Sequence, residues 1–133
     1  MAGRSIKVSK DMIEDAKTLV RHLGVPLVEA EGEAEAQCAV LCREGKAFAT
    51  ATEDMDALTF GTPFLLRGFN SKKEPITQIE LAKVLEGFEM TMTEFVDLCI
   101  MCGCDYTKSI HGVGPVKAFK YIKEHGNIEK VLE

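Results

Sequence analysis

Segments that read as strands alternate with segments of helical periodicity along the first part of this 133-residue chain, and few folds accept that order. Ser9 can cap a helix over 10–23, in which Met12, Ala16, Leu19, Val20 and Leu23 recur at helical spacing. Gly24 ends it. The run 25–28 then reads as a short strand, and a helix begins near Gly32, reaches about Cys42 and is closed by Gly45. Residues 46–51 read as a buried strand, 56–60 as a single helical turn, and 64–67 as a third strand. From Thr77 the pattern is helical: one helix capped by Thr77, another over 91–102, a third opened by Pro115, and a short last one from Asn127. The alternation predicts an α/β fold, a parallel sheet with flanking helices over 5–86, followed by a helical region over 87–133.

The ends of parallel strands are where chemistry gathers, and here they carry acid. Asp54 and Asp56 directly follow the apolar run 47–51. Two residues apart on extended backbone, they aim the same way. Carboxylates that close repel unless a cation lies between them, and hard oxygen ligands suit Mg²⁺, with Mn²⁺ as a substitute. Glu33 and Glu35 form a second pair. Inside a regular helix they would diverge by about 200°, so they converge only if Glu33 lies at the irregular entry, which Gly32 permits. Each pair alone also has a plain explanation: acid in a first helical turn answers the dipole, and an acidic loop is solvated. Both pairs at consecutive strand ends, with Asp105 apart from them, point to metal-assisted work on a phosphodiester, where two metals about 4 Å apart can stabilise attacking and leaving oxygens.

Composition narrows the classes. A net charge of −5 and a pI near 5.3 argue against a passive nucleic-acid binder with a basic face. No apolar run approaches the roughly 20 residues of a membrane span, and nothing at the start reads as a signal peptide, so the expectation is an intracellular protein with no membrane partner. Five cysteines, Cys38, Cys42, Cys99, Cys102 and Cys104, are an odd number and do not suggest a disulfide framework. Cys99, Cys102 and Cys104 have a zinc-like spacing, against which stands the reading of small buried hydrophobes among Phe95, Leu98, Ile100 and Met101. There is no Walker-type phosphate loop. His22, His111 and His125 lie beside no Ser or Cys elbow, and His22 and His125 suit helix C-termini.

The segment 109–118 is a tight turn opening a helix. Gly112 and Gly114 let the backbone approach a partner closely, the amides at the helix start can hold a phosphate, and Lys117 stands in the first turn. This is the arrangement of helix-hairpin-helix DNA binders, although Gly-x-Gly alone could be only a turn.

Several strings occur together in order: Glu29-Ala30-Glu31-Gly32-Glu33-Ala34-Glu35-Ala36, Ala51-Thr52-Glu53-Asp54-Met55-Asp56-Ala57-Leu58-Thr59-Phe60-Gly61, Phe95-Val96-Asp97-Leu98-Cys99-Ile100, Gly103-Cys104-Asp105-Tyr106 and Ile110-His111-Gly112-Val113-Gly114-Pro115. With them the chain resembles the flap endonuclease family of structure-specific 5′ nucleases, from about Ile6 to its end, and resembles the C-terminal half of that family's nuclease core. The resemblance implies a PIN-like α/β fold followed by a helix-two-turn-helix element. It implies that Glu33 and Glu35 serve a first Mg²⁺ and that Asp54, Asp56 and Asp105 serve a second. It implies DNA contacts from Glu33, Gly103, Asp105, Gly112, Gly114 and Lys117, and a K⁺ held at the turn by Ser109 and Val113.

The implied activity is hydrolysis of phosphodiesters in branched, 5′-flap DNA, as endonuclease and 5′-3′ exonuclease, during nuclear replication and repair. The departures are equally definite. Two further metal-binding aspartates, the helical arch and the tail that binds the sliding clamp all belong to parts of the family outside this stretch. The loop 70–75 is shorter than the family's, and Cys102 and Cys104 stand where Leu and Ser are expected. The stretch is therefore expected to be inactive alone. The competing reading is a non-catalytic module that binds duplex DNA.

Overall fold

The computed structural model describes residues 7–69, 75–108 and 110–132. The chain divides into two compact units, Met1–Glu31 and Gly32–Glu133. In the first, α1 (Lys10–His22) starts where Ser9 accepts the Met12 N–H on its hydroxyl, and His22 stands in its last turn, as anticipated. None of its residues is buried. Lys17 pairs with Glu14 at 2.9 Å and with Glu29 at 3.1 Å, and these two carboxylates, Glu14 first, raise its pKa. The strand expected over 25–28 does not form: the Val25 N–H folds back to the Val20 carbonyl, and Val25 and Val28 are both exposed.

The second unit holds α2 (Ala34–Arg43), β1 (Thr50–Ala51), a 3-10 turn (Met55–Leu58), β2 (Phe64–Arg67), β3 (Thr77–Glu80), α3 (Leu81–Phe88), α4 (Met92–Cys102), α5 (Pro115–His125) and α6 (Ile128–Leu132). The sheet order is β1-β2-β3. β1 runs parallel to β2, with Thr50 opposite Leu65, as the strand–helix alternation required. β3 corrects the sequence reading twice. It pairs antiparallel with β2, Arg67 opposite Thr77, so the sheet is mixed. It also takes the residues assigned to a Thr77-capped helix. The edge of β2 offers ladder partners that a lone helical turn does not, and α3 starts only at Leu81, whose N–H reaches the Pro63 carbonyl. The strand expected over 46–51 shortens to Thr50–Ala51, because the Lys46 and Ala47 amides both close on the Leu41 carbonyl behind α2.

Two apolar clusters organise this unit. Ala57, Leu58, Leu65, Leu81 and Phe95 fix the 3-10 turn against β2, α3 and α4. Met90, Leu98, Met101, Ala118 and Ile122 join α4 to α5, with Ile110 and Val113 packed on them. α4 begins with a capping box, in which Thr91 and Glu94 satisfy each other's backbone amides. All five cysteines are free thiols; Cys42 is buried against the Thr50 hydroxyl, and burial pushes the Cys99 thiol up to about 11.

Candidate functional site

Each acidic pair is placed by a helix entrance. Glu33 is the N-cap of α2, with extended φ −66° and ψ 129°, and its side chain makes no capping bond to its own helix. That irregular entry is what frees Glu33 from the divergence a regular helix would impose on it and Glu35. Asp54 caps the 3-10 turn, and its Oδ1 accepts the Asp56 N–H at 2.9 Å. Ala57 and Leu58, immediately after, are almost wholly buried and pin the turn. Asp105 follows Gly103, whose φ of +106° at the C-cap of α4 is a conformation few side chains accept.

The five predicted carboxylates share one electrostatic neighbourhood. Partial burial, then the charges of Asp54, Asp105, Glu33 and Glu35, push the pKa of Asp56 above its ordinary value. Three segments distant in sequence thus act on one carboxyl group. Among the described residues, however, no three His, Cys, Asp or Glu side chains converge closely enough to hold a metal ion. Like charges at such separations repel, and neutral hydroxyls engage two of the group. Tyr106 donates to Glu33 Oε1 at 2.7 Å, and that bond is the main reason its phenol is pushed up to about 12. Thr52 donates to Glu35 Oε1 at 3.2 Å and accepts the Asp54 N–H at 3.1 Å.

Sequence reasoning assigned no role to Tyr106 or Thr52. The available signal was a hydroxyl one or two residues from an acidic side chain, which is too common to single out.

An apolar cavity of ≈ 680 Å³ lies beside the carboxylates, lined by Asp56, Leu58, Phe95, Gly103, Val116 and Phe119 among others. It therefore borders the entrance of α5 as well. There, Gly114 is the N-cap and Pro115 opens the helix. Gly112 has φ +77°, and a Cβ added at Gly112 or Gly114 would meet nothing within 4 Å. The Val113 N–H closes on the Ile110 carbonyl at 3.0 Å. Lys117 lies in the first turn, but its ammonium donates to the Gly112 carbonyl at 2.9 Å, closing the turn from outside. Ser109 lies outside the described residues.

The family model described as the XPG I-region matches residues 24–105, more than half of the chain. Flap endonuclease 1 of Tetrahymena thermophila is 59% identical over 130 residues, which cover 98% of this chain and 34% of that protein. Among solved structures, flap endonuclease-1 from Methanococcus jannaschii superposes with a TM-score of 0.88 at 32% identity, over 100% of this chain and 42% of that one. The catalytic core of Rad2 in complex with DNA substrate gives 0.86 at 29%, over 93% of this chain and 39% of that one. A eukaryotic junction-resolving enzyme GEN-1, described as binding potassium, gives 0.75 at 31%, over 90% and 31%. The chain spans about a third of the length of the curated relatives it matches. It belongs to the XPG I-region family.

Proposed function

We propose that this member of the XPG I-region family supplies the metal-holding carboxylates and the duplex-gripping turn of a two-metal nuclease that cuts branched, 5′-flap DNA. One observation carries the reading: after partial burial, the charges of Asp54, Asp105, Glu33 and Glu35 all raise the pKa of Asp56, so three separate segments deliver charge to one place. Oxygen donors alone fit a hard divalent cation such as Mg²⁺ or Mn²⁺. Glu33 and Glu35 would hold one ion, and Asp54, Asp56 and Asp105 a second. Bound there, the ions would neutralise charge on a phosphodiester and acidify a water. The chain's own part is to present the carboxylates, with Tyr106 and Thr52 orienting the glutamates, and to hold the duplex at a fixed offset.

The offset would come from the turn at α5. Gly112 and Gly114 leave open space where a phosphate can approach the first amides of the helix. Carbonyls near Val113, with Ser109, would take a K⁺ there. Such contacts read backbone and not sequence. Work on replicating and repaired DNA would put the whole protein in the nucleus, with a sliding clamp engaged outside this stretch. By itself, the stretch is expected not to cut.

The test is flap cleavage in Mg²⁺ by the full-length protein and its Asp54→Ala variant. Loss of cleavage with duplex binding kept is the expected result; near-normal turnover would remove Asp54 from the site. A second reading, a duplex-binding module without catalysis, is favoured because, among the described residues, no three His, Cys, Asp or Glu side chains form a group that could hold a metal ion. It predicts no cleavage by either protein and equal duplex affinity.

A further inference from the structure

We propose that Tyr106 and Thr52 are positioning residues: their hydroxyls clamp Glu33 and Glu35 to the two aspartate-bearing loops before any divalent cation arrives. The inference rests on the metal reading of the five carboxylates. Those carboxylates come from three segments, around 33–35, 54–56 and 105, and their mutual repulsion drives the segments apart. Something uncharged has to tie them together, because an Arg or Lys in that role would cancel the charge that a cation needs.

Two bonds do so. Tyr106, next to Asp105, donates to Glu33 Oε1 at 2.7 Å across 73 residues of chain. Thr52, two residues before Asp54, donates to Glu35 Oε1 at 3.2 Å. The direction of the Thr52 bond is settled by chemistry. The Asp54 N–H already donates to Thr52 Oγ1 at 3.1 Å, and an ionised carboxylate can only accept, so the single hydroxyl proton goes to Glu35. Each bond engages Oε1 alone, and no other described residue bonds Oε2 of either glutamate.

The glutamates are the members of the group that most need this help. They carry one more rotatable bond than the aspartates, and Glu33 makes no bond to the helix it caps. Asp54, by contrast, is already held by the Asp56 N–H.

The experiment uses the full-length protein with Mn²⁺ as the probe, free Mn²⁺ being followed by electron paramagnetic resonance. Tyr106→Phe and Thr52→Val should each weaken Mn²⁺ binding by about tenfold or more, the usual cost of losing a partner of a metal ligand. Thr52→Ser should restore it. Melting temperatures in chelator should match the parent, and the KM for flap DNA should stay constant while the Mg²⁺ concentration for half-maximal rate rises. Parent-like or tighter Mn²⁺ binding in either variant overturns the clamp. Asp56→Asn separates the two layers. If it loses Mn²⁺ while the hydroxyl variants do not, only the clamp fails. If it binds Mn²⁺ like the parent, the metal reading goes and the clamp with it.

Discussion

The acidic loops and the glycine turn occupy the same compact unit, yet they are built on opposite principles. The first works through side chains: five carboxylates on three segments, held by hydroxyls and by the Asp56 amide. The second works through their absence: a left-handed Gly112, an uncapped Gly114 and open space over both. Their footings differ too. The acidic turn is rooted in the cluster of Ala57, Leu58 and Leu65, whereas Ile110 and Val113 root the glycine turn in that of Met101, Ala118 and Ile122. Chemistry that needs charge has to concentrate it against repulsion. Grip that needs only backbone has to keep side chains away. The two regions should therefore fail differently when broken.

The largest contrast lies in rate. In the full-length protein, Asp56→Ala should lower flap cleavage by roughly a thousandfold or more, since a catalytic cation contributes several kcal/mol. Duplex affinity should hold or tighten, because one negative charge near the phosphates is gone. Single-turnover cleavage and a binding titration on the same sample check both halves. Equal losses in rate and affinity would mean that the acidic loops also grip, and the comparison would collapse.

Gly114→Val should do the reverse. Its φ of −98° and ψ of 177° suit any residue, and the new side chain meets no neighbour. The folded state should lose only the small preference of a helix N-cap for Gly over Val. Duplex affinity should fall about tenfold, the worth of one charge-assisted hydrogen bond near 1.4 kcal/mol, for duplexes of any sequence, while cleavage at saturating DNA persists. An unchanged affinity in a well-folded variant would leave the turn with no role in DNA binding.

Legibility in the sequence followed the same divide. The carboxylates stood out because charge is a residue type, but the extended backbone expected to aim Asp54 and Asp56 together did not form: β1 stops at Ala51 and Asp56 lies in the 3-10 turn that Asp54 caps. Helices with clear start signals, caps at Ser9 and Thr91 and a first-turn Pro115, appeared where those signals stood. The misses share one cause, the need for a partner. Residues 25–28 look like a strand but have no ladder among the described residues, and Thr77–Glu80 look helical but find the edge of β2. Pairing depends on what lies alongside, which local pattern does not encode. Tyr106 escaped notice for the same reason: its partner lies 73 residues away.

Lys117→Ala should have a smaller effect and blur the divide. Its ammonium reaches the Gly112 carbonyl at 2.9 Å, so it both adds charge and closes the turn. The salt slope of duplex binding should fall by about one unit or less, with affinity down a few-fold at low salt. Lys117→Gln separates the two contributions, because the amide can still donate to the carbonyl. Full recovery with Gln would show that closure of the turn, and not charge, is what DNA reads.

The smallest expected effect concerns stability, and its sign is informative. Partial burial and four neighbouring carboxylates hold the folded pKa of Asp56 above its ordinary 3.8. A carboxyl so raised contributes its full stability below the ordinary Asp range and loses it as pH rises through the raised value. Near pH 7 in chelator, the ionised Asp56 is therefore a liability, and Asp56→Asn should melt higher than the parent. Asp56 is exposed, so screening limits the gain to about 1 kcal/mol or less, at most a few degrees. The gain should shrink as pH falls and vanish only well below the ordinary Asp value, where both proteins are neutral at this position. Mg²⁺ should then invert the order at pH 7. A cation that binds only the folded parent stabilises it by mass action, and the Asn variant gains less. Differential scanning of both proteins, at two pH values with and without Mg²⁺, reads all four signs. If Asp56→Asn melts lower in chelator at pH 7, the carboxylates do not repel at Asp56 and the acidic loops are held together by attraction.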